Sequence, residues 1–414
     1  MSHTIIIGGG IAGLTAAYYL QKAERDYTIL EASDRIGGRI KTDEYNGFLM
    51  DRGFQVFLTA YPEARKILDY NTLELRAFHP GAVLLRSNGK IDYMGDPLRQ
   101  LSSLIPTLTT SAASIGDKIK ILKTKNAIVE KSIQEIFSSE EMSTMKLLKE
   151  EYRFSNKIIT EFLQPFYAGI FLENELSTSR RMFDFVFKMF SQGEATVPAK
   201  GMEEIPKQIA SHLDPNKIHC NTKVIDVQGN LVHLQNKEPI LADHILVATE
   251  ANGLCSEFTE TKKTYRSTTN LYFYSNEQPY KQNAIALNGD PKAIVNNLVC
   301  MSKNSRDYGQ NKELISVSLK EGVRYDNATV SEKVKAELSK WIPSAKNWNH
   351  LKTYKINYAL PDQTKITNDN IIEVSNKMTI IGDHVMNGSI NAAMKSGRLG
   401  AERVIGMSYT GCII

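Results

Sequence analysis

Three glycines near the start of the chain, Gly8, Gly10 and Gly13, follow the spacing G-x-G-x-x-G. The first glycine of such a group allows a tight turn, the second lets the backbone approach a pyrophosphate, and the third lets a helix pack closely on a strand. A helix beginning at Ile11 and Ala12 would offer backbone N–H groups and its positive dipole end to phosphate oxygens. Ordinary glycine turns also show this spacing, so the prediction of a dinucleotide site depends on its surroundings.

Two further side chains are placed to act with this turn. Glu31 follows Gly13 by 18 residues and ends the next β-like run, where a carboxylate can accept hydrogen bonds from both hydroxyls of a ribose. A solvated glutamate at a strand end is the alternative interpretation. Arg39 follows a second glycine pair, Gly37 and Gly38, and its guanidinium is expected beside the same pyrophosphate, where it can pair with phosphate oxygens.

The elements that must position these residues read as the start of a parallel βαβ unit. His3–Ile7 is a short apolar run rich in β-branched residues, Ile11–Lys22 has a helical pattern, and residues 27–30 form a second β-like run. Residues 96–189 read mainly as helices. Further strands are predicted at residues 223–227, 231–234, 244–247, 268–274, 293–300, 314–319 and 378–381, and further helices at 330–341 and 390–404. A hairpin turn is predicted at Gly229.

Composition excludes several classes of protein. The chain has 414 residues, 42% hydrophobic and 23% charged, which is typical of a globular protein of two or three domains and not of a disordered, collagen-like or disulfide-stapled chain. A net charge of +4 gives no indication of nucleic-acid binding. The four cysteines form no CxxC pair and no metal-binding spacing, so no metal is expected and a reducing cytoplasm is predicted. No apolar run reaches about 18 residues, so no membrane-spanning helix is expected.

A longer pattern surrounds the second glycine pair and reads Glu31-Ala32-x-x-Arg35-x-Gly37-Gly38-Arg39. It resembles the second signature of the flavin-dependent amine oxidase superfamily, which also includes phytoene desaturases and protoporphyrinogen oxidase. Ordinary nicotinamide dehydrogenases lack this extension, so the resemblance implies FAD as the cofactor. Three other segments are similar to family motifs: residues 51–55 to the segment beneath the isoalloxazine ring, 223–225 to the strand that meets the adenine, and 380–397 to the closing flavin motif.

The closing motif also has a physical interpretation of its own. Asp383 follows a predicted strand and can accept hydrogen bonds from ribityl hydroxyls. The helix predicted from Ile390 would aim its positive end at the N1/C2=O side of a flavin, which becomes negative on reduction. A plain strand–loop–helix connection is the alternative interpretation. No cysteine lies in residues 388–392, where some amine oxidases attach the flavin covalently, so noncovalent FAD is expected.

Together these patterns predict an α/β protein with a discontinuous, Rossmann-like FAD-binding domain and an inserted α+β substrate-binding domain. The FAD-binding domain is expected at residues 1–90, 195–263 and 360–414, and the substrate-binding domain at 91–194 and 264–359. The residues predicted to bind the cofactor are Gly8, Gly10, Ile11, Ala12, Gly13, Glu31, Ala32, Arg35, Gly38, Arg39, Gly53, Phe54, Gln55, Val224, Gly382, Asp383, Ser389, Ile390 and Ala392. His384 is a candidate for proton transfer, although a loop histidine bonded to the backbone is the commoner outcome. No catalytic residue is otherwise assigned.

The resemblance implies an enzyme that abstracts hydride from a C–H bond of a hydrophobic, isoprenoid or tetrapyrrole-like substrate, with oxygen or a quinone as electron acceptor. Residues 268–273 contain no lysine, which many amine oxidases carry near the flavin N5, and no paired-tyrosine cage is evident. These departures favour the desaturase and porphyrinogen oxidase branch over an amine oxidase, which stays the first alternative. A non-enzymatic scaffold resembling Rab escort proteins is the second, and the intact set of glycines, Glu31, Arg39 and Asp383 counts against it. A flavin-dependent mutase would need sugar-nucleotide-binding residues that the sequence does not reveal.

Residues 98–129 combine leucine, isoleucine and proline with four lysines, Lys118, Lys120, Lys123 and Lys125. A basic amphipathic stretch of this kind can rest on a membrane surface. In the desaturase branch a comparable region governs the entry of lipid-soluble substrates. A surface helix pair that packs on the core is the alternative, so peripheral membrane contact of a cytoplasmic protein is one of two predictions for this region.

Overall fold

The computed structural model describes residues 2–95, 114–250, 254, 264–323, 325–326 and 329–410. Cys255, Cys412 and residues 98–113 of the predicted basic stretch lie outside these ranges. The strands in chain order are β1 (His3–Ile7), β2 (Asp26–Leu30), β3 (Thr42–Tyr45), β4 (Phe48–Asp51), β5 (Phe57–Leu58), β6 (Leu75–Ala77), β7 (Gly81–Leu85), β8 (Ile91–Gly95), β9 (Ala195–Pro198), β10 (Ile218–His219), β11 (Val224–Gln228), β12 (Leu231–Leu234), β13 (Ile240–Leu241), β14 (His244–Val247), β15 (Tyr265–Ser275), β16 (Ile285–Asn288), β17 (Val295–Cys300), β18 (Glu313–Leu319), β19 (Asn349–Pro361), β20 (Ile372–Ser375) and β21 (Met378–Ile380).

The α-helices in chain order are α1 (Ile11–Lys22), α2 (Ile115–Glu130), α3 (Ile133–Ser138), α4 (Thr144–Lys146), α5 (Asn156–Ile158), α6 (Gln164–Phe171), α7 (Arg180–Gln192), α8 (Glu204–Ser211), α9 (Met301–Asn304), α10 (Val330–Leu338) and α11 (Ile390–Thr410). Short 3₁₀ turns lie at Ala64–Lys66, Pro215–Lys217, Arg306–Tyr308, Pro343–Asn347 and Asp383–Val385, and π-helical turns at Leu147–Glu151 and Ile159–Leu163. Among the residues described, none of the helices combines the length and apolarity needed to cross a bilayer.

The first sheet has the strand order β10-β2-β1-β14-β21-β20, and its neighbouring strands are parallel except for the pair β20 and β21. β1 lies inside this sheet because Ile5, Ile6 and Ile7 make it apolar on both faces, as a parallel strand covered on both sides must be. The predicted βαβ start is confirmed, since β1 is followed by α1 and pairs in parallel with β2.

Helices α1 and α11 pack against each other at very short range. A Cβ atom on Gly397 of α11 would lie 2.3 Å from the carbonyl oxygen of Ala12 in α1, so a residue with a side chain cannot stand there without moving the helices apart. The facing part of α1 is fully buried, including Leu14, Ala16 and Ala17. The first and the last of the described helices therefore form one packed pair.

The second sheet has the order β19-β15-β18-β17-β16-β7-β8 and is antiparallel except for the pair β16 and β7. Successive side chains along each strand point to opposite faces of the sheet. One face, which includes Leu271 and Phe273 of β15, packs on α10. The opposite face, which includes Tyr272, belongs to the large core that also contains Leu14 of α1 and Phe183 of α7. The second sheet thus turns one of its faces towards the first sheet's helices.

The predicted division into two domains stays a prediction. β7 and β8 pair within the second sheet, although the FAD-binding domain was expected to extend to residue 90. β9, at Ala195–Pro198, pairs with β5 and β6 in a small separate sheet. Early segments of the chain therefore contribute to more than one sheet.

The helices expected at residues 96–189 are confirmed within the part that the structure describes. Five of them begin at a serine whose hydroxyl accepts a backbone N–H of the first turn, and serine is among the preferred N-cap residues. These serines are Ser114, Ser132, Ser143, Ser155 and Ser179. The later strands and helices are also confirmed, with ends shifted by a few residues, and Gly229 forms the predicted hairpin turn between β11 and β12 with φ +58°.

Candidate cofactor site

The carboxyl ends of β2, β1, β14 and β21 meet at one edge of the first sheet, because these neighbouring strands run parallel. The residues that follow them are Glu31, Gly8, Ala248 and Ile381 in that order. Open α/β sheets bind their ligands outside this edge. The edge is therefore the candidate site, and most residues predicted from sequence lie along it.

Two glycine turns touch each other at this edge. Gly8 has φ +109°, and a Cβ on Gly13 would lie 2.0 Å from the carbonyl oxygen of Gly8, so the start of α1 presses directly on the turn. Gly38 has φ +59°, and its Cβ would lie 3.2 Å from the Cα of Gly10. The two turns therefore meet backbone to backbone, without side chains between them. The space that side chains would fill at this contact is called the cradle below.

The amino end of α1 is open for a ligand. Gly10 is its N-cap and offers no side-chain bond, while Ile11 and Ala12 begin the helix. The first turn contains no acidic side chain. The backbone N–H groups of the first turn and the positive dipole end therefore face the cradle with no acidic side chain from that turn.

Glu31 holds the glycine turn through its carboxylate. Oε2 accepts the Gly9 N–H at 2.7 Å, and Oε1 accepts the N–H and the hydroxyl of Ser33 at 2.8 and 2.7 Å. The side chain is buried, and Ala32 beside it is exposed. Glu31 thus has a structural role that the sequence did not indicate, and its predicted contact with a ribose stays a prediction.

Arg39 and Asp383 form an ion pair that joins the second glycine turn to the end of β21. Arg39 also donates to the carbonyl oxygen of Ala359 at 3.1 Å. The charge of Asp383 raises the pKa of Arg39, so the guanidinium stays protonated. Its side chain remains 42% exposed, which leaves it accessible from the cradle.

Arg35 points elsewhere. Its Nε donates to Glu203 at 2.6 Å and its terminal nitrogen donates to Asp43 at 2.7 Å. These two carboxylates already hold the guanidinium, so it fastens the loop to α8 and β3. A direct role in cofactor binding stays a prediction for this residue.

The segment Gly53, Phe54 and Gln55 lies between the two sheets. Gly53 has φ +87°, and its Cβ would lie 3.0 Å from Ile356 of β19 and 3.9 Å from Thr268 of β15. The Nε2 group of Gln55 donates to the carbonyl oxygen of Arg39 at 3.2 Å. Phe54 makes an edge-to-face contact with Phe78 at a centroid distance of 6.2 Å. This segment therefore brings the second sheet close to the cradle.

The carboxyl-terminal motif is folded around a strained glycine. Gly382 has φ +144°, its N–H donates to the hydroxyl of Ser396 at 2.9 Å, and a Cβ there would lie 2.5 Å from Nδ1 of His384. His384 thus packs on its own turn, and its predicted proton transfer stays a prediction. Ser389 caps α11 by accepting the N–H of Ala392 at 3.0 Å, and α11 begins at Ile390 as predicted.

Val224 reaches the same region from β11. Its side chain is buried in a core that also contains Ile7 and Leu30, at the ends of β1 and β2. The N–H of Thr222, two residues earlier, donates to the carbonyl oxygen of Glu31 at 2.8 Å. The start of β11 is therefore fastened beside Glu31, and the predicted contact of Val224 with an adenine stays a prediction.

Two groups at this site were missed in the sequence. Glu250 follows β14 and Tyr265 begins β15, and the two interact electrostatically with each other and with Arg39 and Asp383. Burial raises the pKa of Glu250, and the charge of Arg39 opposes that rise. The signal that could have found Glu250 is its place after a predicted strand, which is the same as that of Glu31.

A buried carboxylate, Asp51 at the end of β4, links the β3–β4 hairpin to β15 of the second sheet. It accepts hydrogen bonds from the hydroxyls of Thr42 at 2.6 Å and Tyr308 at 2.7 Å and from the N–H of Met202 at 2.9 Å. The hydroxyl of Tyr272 donates to its carbonyl oxygen at 3.0 Å. Burial raises the pKa of Asp51. Because Gly53 follows two residues later, this network fixes the position of the segment between the sheets.

Among the described side chains, no three histidine, cysteine, aspartate or glutamate residues converge as a metal ion would require. The site is therefore built from backbone amides, one exposed guanidinium and carboxylates.

A family model described as flavin containing amine oxidoreductase matches residues 11–405. Coproporphyrinogen III oxidase of Bacillus subtilis (strain 168) is 24% identical over 301 residues, which cover 62% of this chain and 62% of that protein. Coproporphyrinogen III oxidase of Propionibacterium freudenreichii is 28% identical over 174 residues, which cover 41% of this chain and 32% of that protein. The matched stretches thus span less than two thirds of these relatives.

The solved structure of putrescine oxidase with bound putrescine superposes on this chain with a TM-score of 0.75 at 14% identity, over 98% of this chain and 99% of that one. At this identity the likeness concerns the fold. The predicted α/β class with a parallel sheet is confirmed by it.

Proposed function

The chain belongs to the flavin-containing amine oxidoreductase family, and from that premise we propose that it is an FAD-dependent oxidoreductase of the porphyrinogen oxidase type. The observation that carries the proposal is the contact of two bare glycine turns at the carboxyl edge of the parallel sheet. Gly10 and Gly38 leave a cradle there that any side chain would fill. Arg39 and the open amino end of α1 supply the positive potential that a diphosphate needs.

The residues of the edge fit the parts of FAD in order. Gly8, Gly10 and Gly13 with Ile11 and Ala12 would hold the diphosphate against α1. Arg39 and Gly38 would close over it, while Glu31 and Val224 would meet the adenosine half. Asp383, with the turn at Gly382, would accept hydrogen bonds from the ribityl chain. The start of α11 at Ser389, Ile390 and Ala392 would stabilise negative charge on the ring.

Bound FAD supplies a hydride acceptor. The chain's own contribution is to position the substrate and exclude water. Gly53 lies against Ile356 and Thr268 of the second sheet, so an apolar and an uncharged side chain face the segment proposed to lie beneath the ring. An apolar and an uncharged side chain at this position are compatible with a hydrophobic substrate that is oxidised at a C–H bond. The curated relatives act, by their names, on coproporphyrinogen III, and a tetrapyrrole-like substrate is accordingly the class proposed here.

Noncovalent attachment and the electron acceptor are part of the same proposal. Residues 388–392 contain no cysteine. Cys300 is buried in the second sheet, where burial raises its pKa to about 12, and such a thiol does not act as a nucleophile at neutral pH. Oxygen or a quinone is proposed as the electron acceptor, because membership of a flavin-containing family gives no indication of a nicotinamide cofactor.

The first experiment is the visible absorption spectrum of the purified protein before and after acid precipitation. A flavin band that is released into the supernatant supports noncovalent FAD. A colourless protein that takes up no added FAD overturns the proposal and favours the scaffold resembling Rab escort proteins.

Two glycine variants test the cradle. Gly38→Ala adds a Cβ 3.2 Å from Gly10, whereas Gly229→Ala has nothing within 4 Å of its new Cβ. Both glycines have φ close to +58°, so the backbone cost of the substitution is matched. We expect FAD binding to fall in Gly38→Ala alone. Equal binding in the two variants would contradict the proposed location.

Substrate class is tested by anaerobic reduction of the flavin band. We expect bleaching by coproporphyrinogen III or protoporphyrinogen and none by putrescine. Rapid bleaching by putrescine without bleaching by either porphyrinogen would assign the chain to the amine oxidases. Bleaching by a linear polyene alone would assign it to the desaturases.

Peripheral membrane contact is proposed for α2. Ile115, Ile119 and Leu122 follow a helical spacing and are 77%, 49% and 45% exposed, and Lys118 and Lys123 stand beside them. We expect sedimentation with vesicles that contain anionic lipid, and loss of sedimentation when the three apolar residues are replaced by serine. Leu241→Ser, at an exposed leucine of β13, is the matched control.

A further inference from the structure

Glu63, which lies ten residues after Gly53 in the chain, is fastened to α11 at two points. Its backbone N–H donates to Oδ1 of Asn391 at 3.0 Å. Its carboxylate accepts two hydrogen bonds from the guanidinium of Arg398, one from Nε and one from a terminal nitrogen, both at 2.9 Å. A single residue of an early loop therefore holds the last of the described helices.

The two points of attachment lie on one face of α11. Asn391 is the second residue of the helix and Arg398 follows seven residues later, which is close to two full turns. Glu63 and Asn391 are only 4% and 2% exposed. A buried, two-bonded pair of guanidinium and carboxylate is a strong and directional link. The link therefore fixes the direction of the first two turns of α11 as well as their position.

The other contacts of α11 hold it to the first sheet. The hydroxyl of Ser396 accepts the N–H of Gly382 after β21, and Gly397 packs on Ala12 of α1. Both contacts lie in the second turn of α11 or beyond it. Closer to the amino end, Glu63 ties α11 to the loop that continues from the segment at Gly53. The placement of this end relative to that segment thus depends on Glu63.

The amino end of α11 carries donors that are free to meet a ligand. The hydroxyl of Ser389 accepts the N–H of Ala392, and the carbonyl oxygen of Ser389 accepts the N–H of Ala393, each at 3.0 Å. Within the ranges that the structure describes, no hydrogen bond engages the backbone N–H of Ile390 or Asn391. The first turn contains no acidic side chain. Two N–H groups and the positive dipole end are therefore available there.

We propose that Glu63 and Asn391 are positioning residues that set the reduction potential of the bound flavin by fixing the amino end of α11. The inference rests on the proposed function, because the N1/C2=O side of the flavin must lie at this helix end. That side becomes negative on reduction, so N–H groups and a dipole held beside it favour the reduced form. The interaction weakens with distance, so a looser helix end favours reduction less.

The test is the midpoint potential of the FAD-loaded Asn391→Ala protein, measured spectroscopically against a redox dye of known potential. The substitution removes the acceptor of the Glu63 N–H and changes no charge. We expect the affinity for reduced relative to oxidised flavin to fall about threefold to tenfold, within the range of helix-end interactions. For a two-electron couple this is a fall of about 14–30 mV in potential. Oxidised FAD should stay bound.

A matched control is available on the far side of the second sheet. Asn288 at the end of β16 is 1% exposed, its Oδ1 accepts the N–H of Asp290 at 3.1 Å, and its Nδ2 donates to Glu337 of α10. Asn288→Ala therefore deletes a buried amide of the same kind. We expect it to lower stability in urea unfolding and to leave the flavin potential unchanged.

Arg398→Lys tests the second point of attachment without changing the charge. A lysine ammonium is a point charge and cannot reproduce the two parallel bonds of the guanidinium to Glu63. The flavin potential should fall in the same direction as in Asn391→Ala and by a smaller amount. Arg76→Lys, at an exposed arginine that pairs with Glu74, is the control for this change and should leave the potential unchanged.

The outcomes separate this inference from the proposed function. An unchanged potential in Asn391→Ala with FAD still bound would overturn the inference and leave the proposed function standing. An equal fall in Asn288→Ala would also overturn it, because general loosening would then be the cause. A wild-type protein that binds no FAD would overturn the proposed function and the inference together. Should Asn391→Ala fail to fold, a lower potential in Arg398→Lys supports the inference and an unchanged one overturns it.

Discussion

Glu31 offers a prediction that distinguishes support of the fold from contact with a ligand. Its carboxylate accepts three hydrogen bonds, one from Gly9 and two from Ser33, all between 2.7 and 2.8 Å. Glutamine at this position keeps one acceptor oxygen and places an amide NH₂ group at the other. Whichever way the amide is turned, its NH₂ group faces the N–H of either Gly9 or Ser33, which is also a donor. At least one of the three hydrogen bonds is therefore lost.

The magnitude follows from the strength of such bonds. A hydrogen bond to a charged group contributes about 1.5–3 kcal/mol, so the flavin-free Glu31→Gln protein should lose about 2 kcal/mol of unfolding free energy. FAD affinity should fall as well, because the glycine turn that the carboxylate holds is the proposed diphosphate cradle.

Urea unfolding of the flavin-free protein measures the first effect, and FAD titration measures the second. Glu44→Gln is the matched control, since Glu44 is exposed on β3 and the same change there should cost less than about 0.5 kcal/mol. An unfolding free energy that is the same in Glu31→Gln and Glu44→Gln would refute the role of Glu31 in fixing the turn, even if FAD binding were lost.

Three other substitutions have expected outcomes. Gly13→Ala places a Cβ 2.0 Å from the Gly8 carbonyl oxygen, so it should lower the thermal unfolding midpoint strongly or abolish soluble expression. Gly169→Ala places a Cβ 2.7 Å from Nδ2 of Asn297, and a loss of about 1–3 kcal/mol is expected in urea unfolding. Asp51 has a raised pKa in the folded protein, so its contribution to stability is fully present at acid pH and is lost as the pH rises. Asp51→Asn should therefore show a smaller fall of the urea midpoint between acid and neutral pH than the wild type, and an identical fall would contradict this account.

Local patterns were sufficient for the parts of the fold that are local. The βαβ start, the hairpin at Gly229 and the helix from Ile390 each depend on a few consecutive residues, and each was predicted. The serine N-caps of α2, α3, α4, α5 and α7 are local too, although the sequence analysis did not single them out. Strand and helix ends moved by a few residues because end residues are fixed by packing.

Contacts between distant residues could not be predicted from one sequence. Arg35 carries a family signature, yet its guanidinium is held by Glu203, which is 168 residues away. The link between Asp51 and Tyr308 spans 257 residues. Glu250 lay outside every motif, and only the strand order brings it beside Arg39. Motifs therefore identified the cradle, and topology was needed to find the charges around it.

The pairing of α1 with α11 has a consequence for the order in which the site can form during synthesis. Gly8, Glu31 and Arg39 leave the ribosome early, but Asp383 and the helix that Gly397 packs onto Ala12 leave it last among the described elements. β1 must also keep a free edge until β14 arrives, more than 200 residues later. A chain stalled before residue 378 would therefore carry a nucleotide-binding signature without a completed site, and flavin capture would have to wait until α11 has been made.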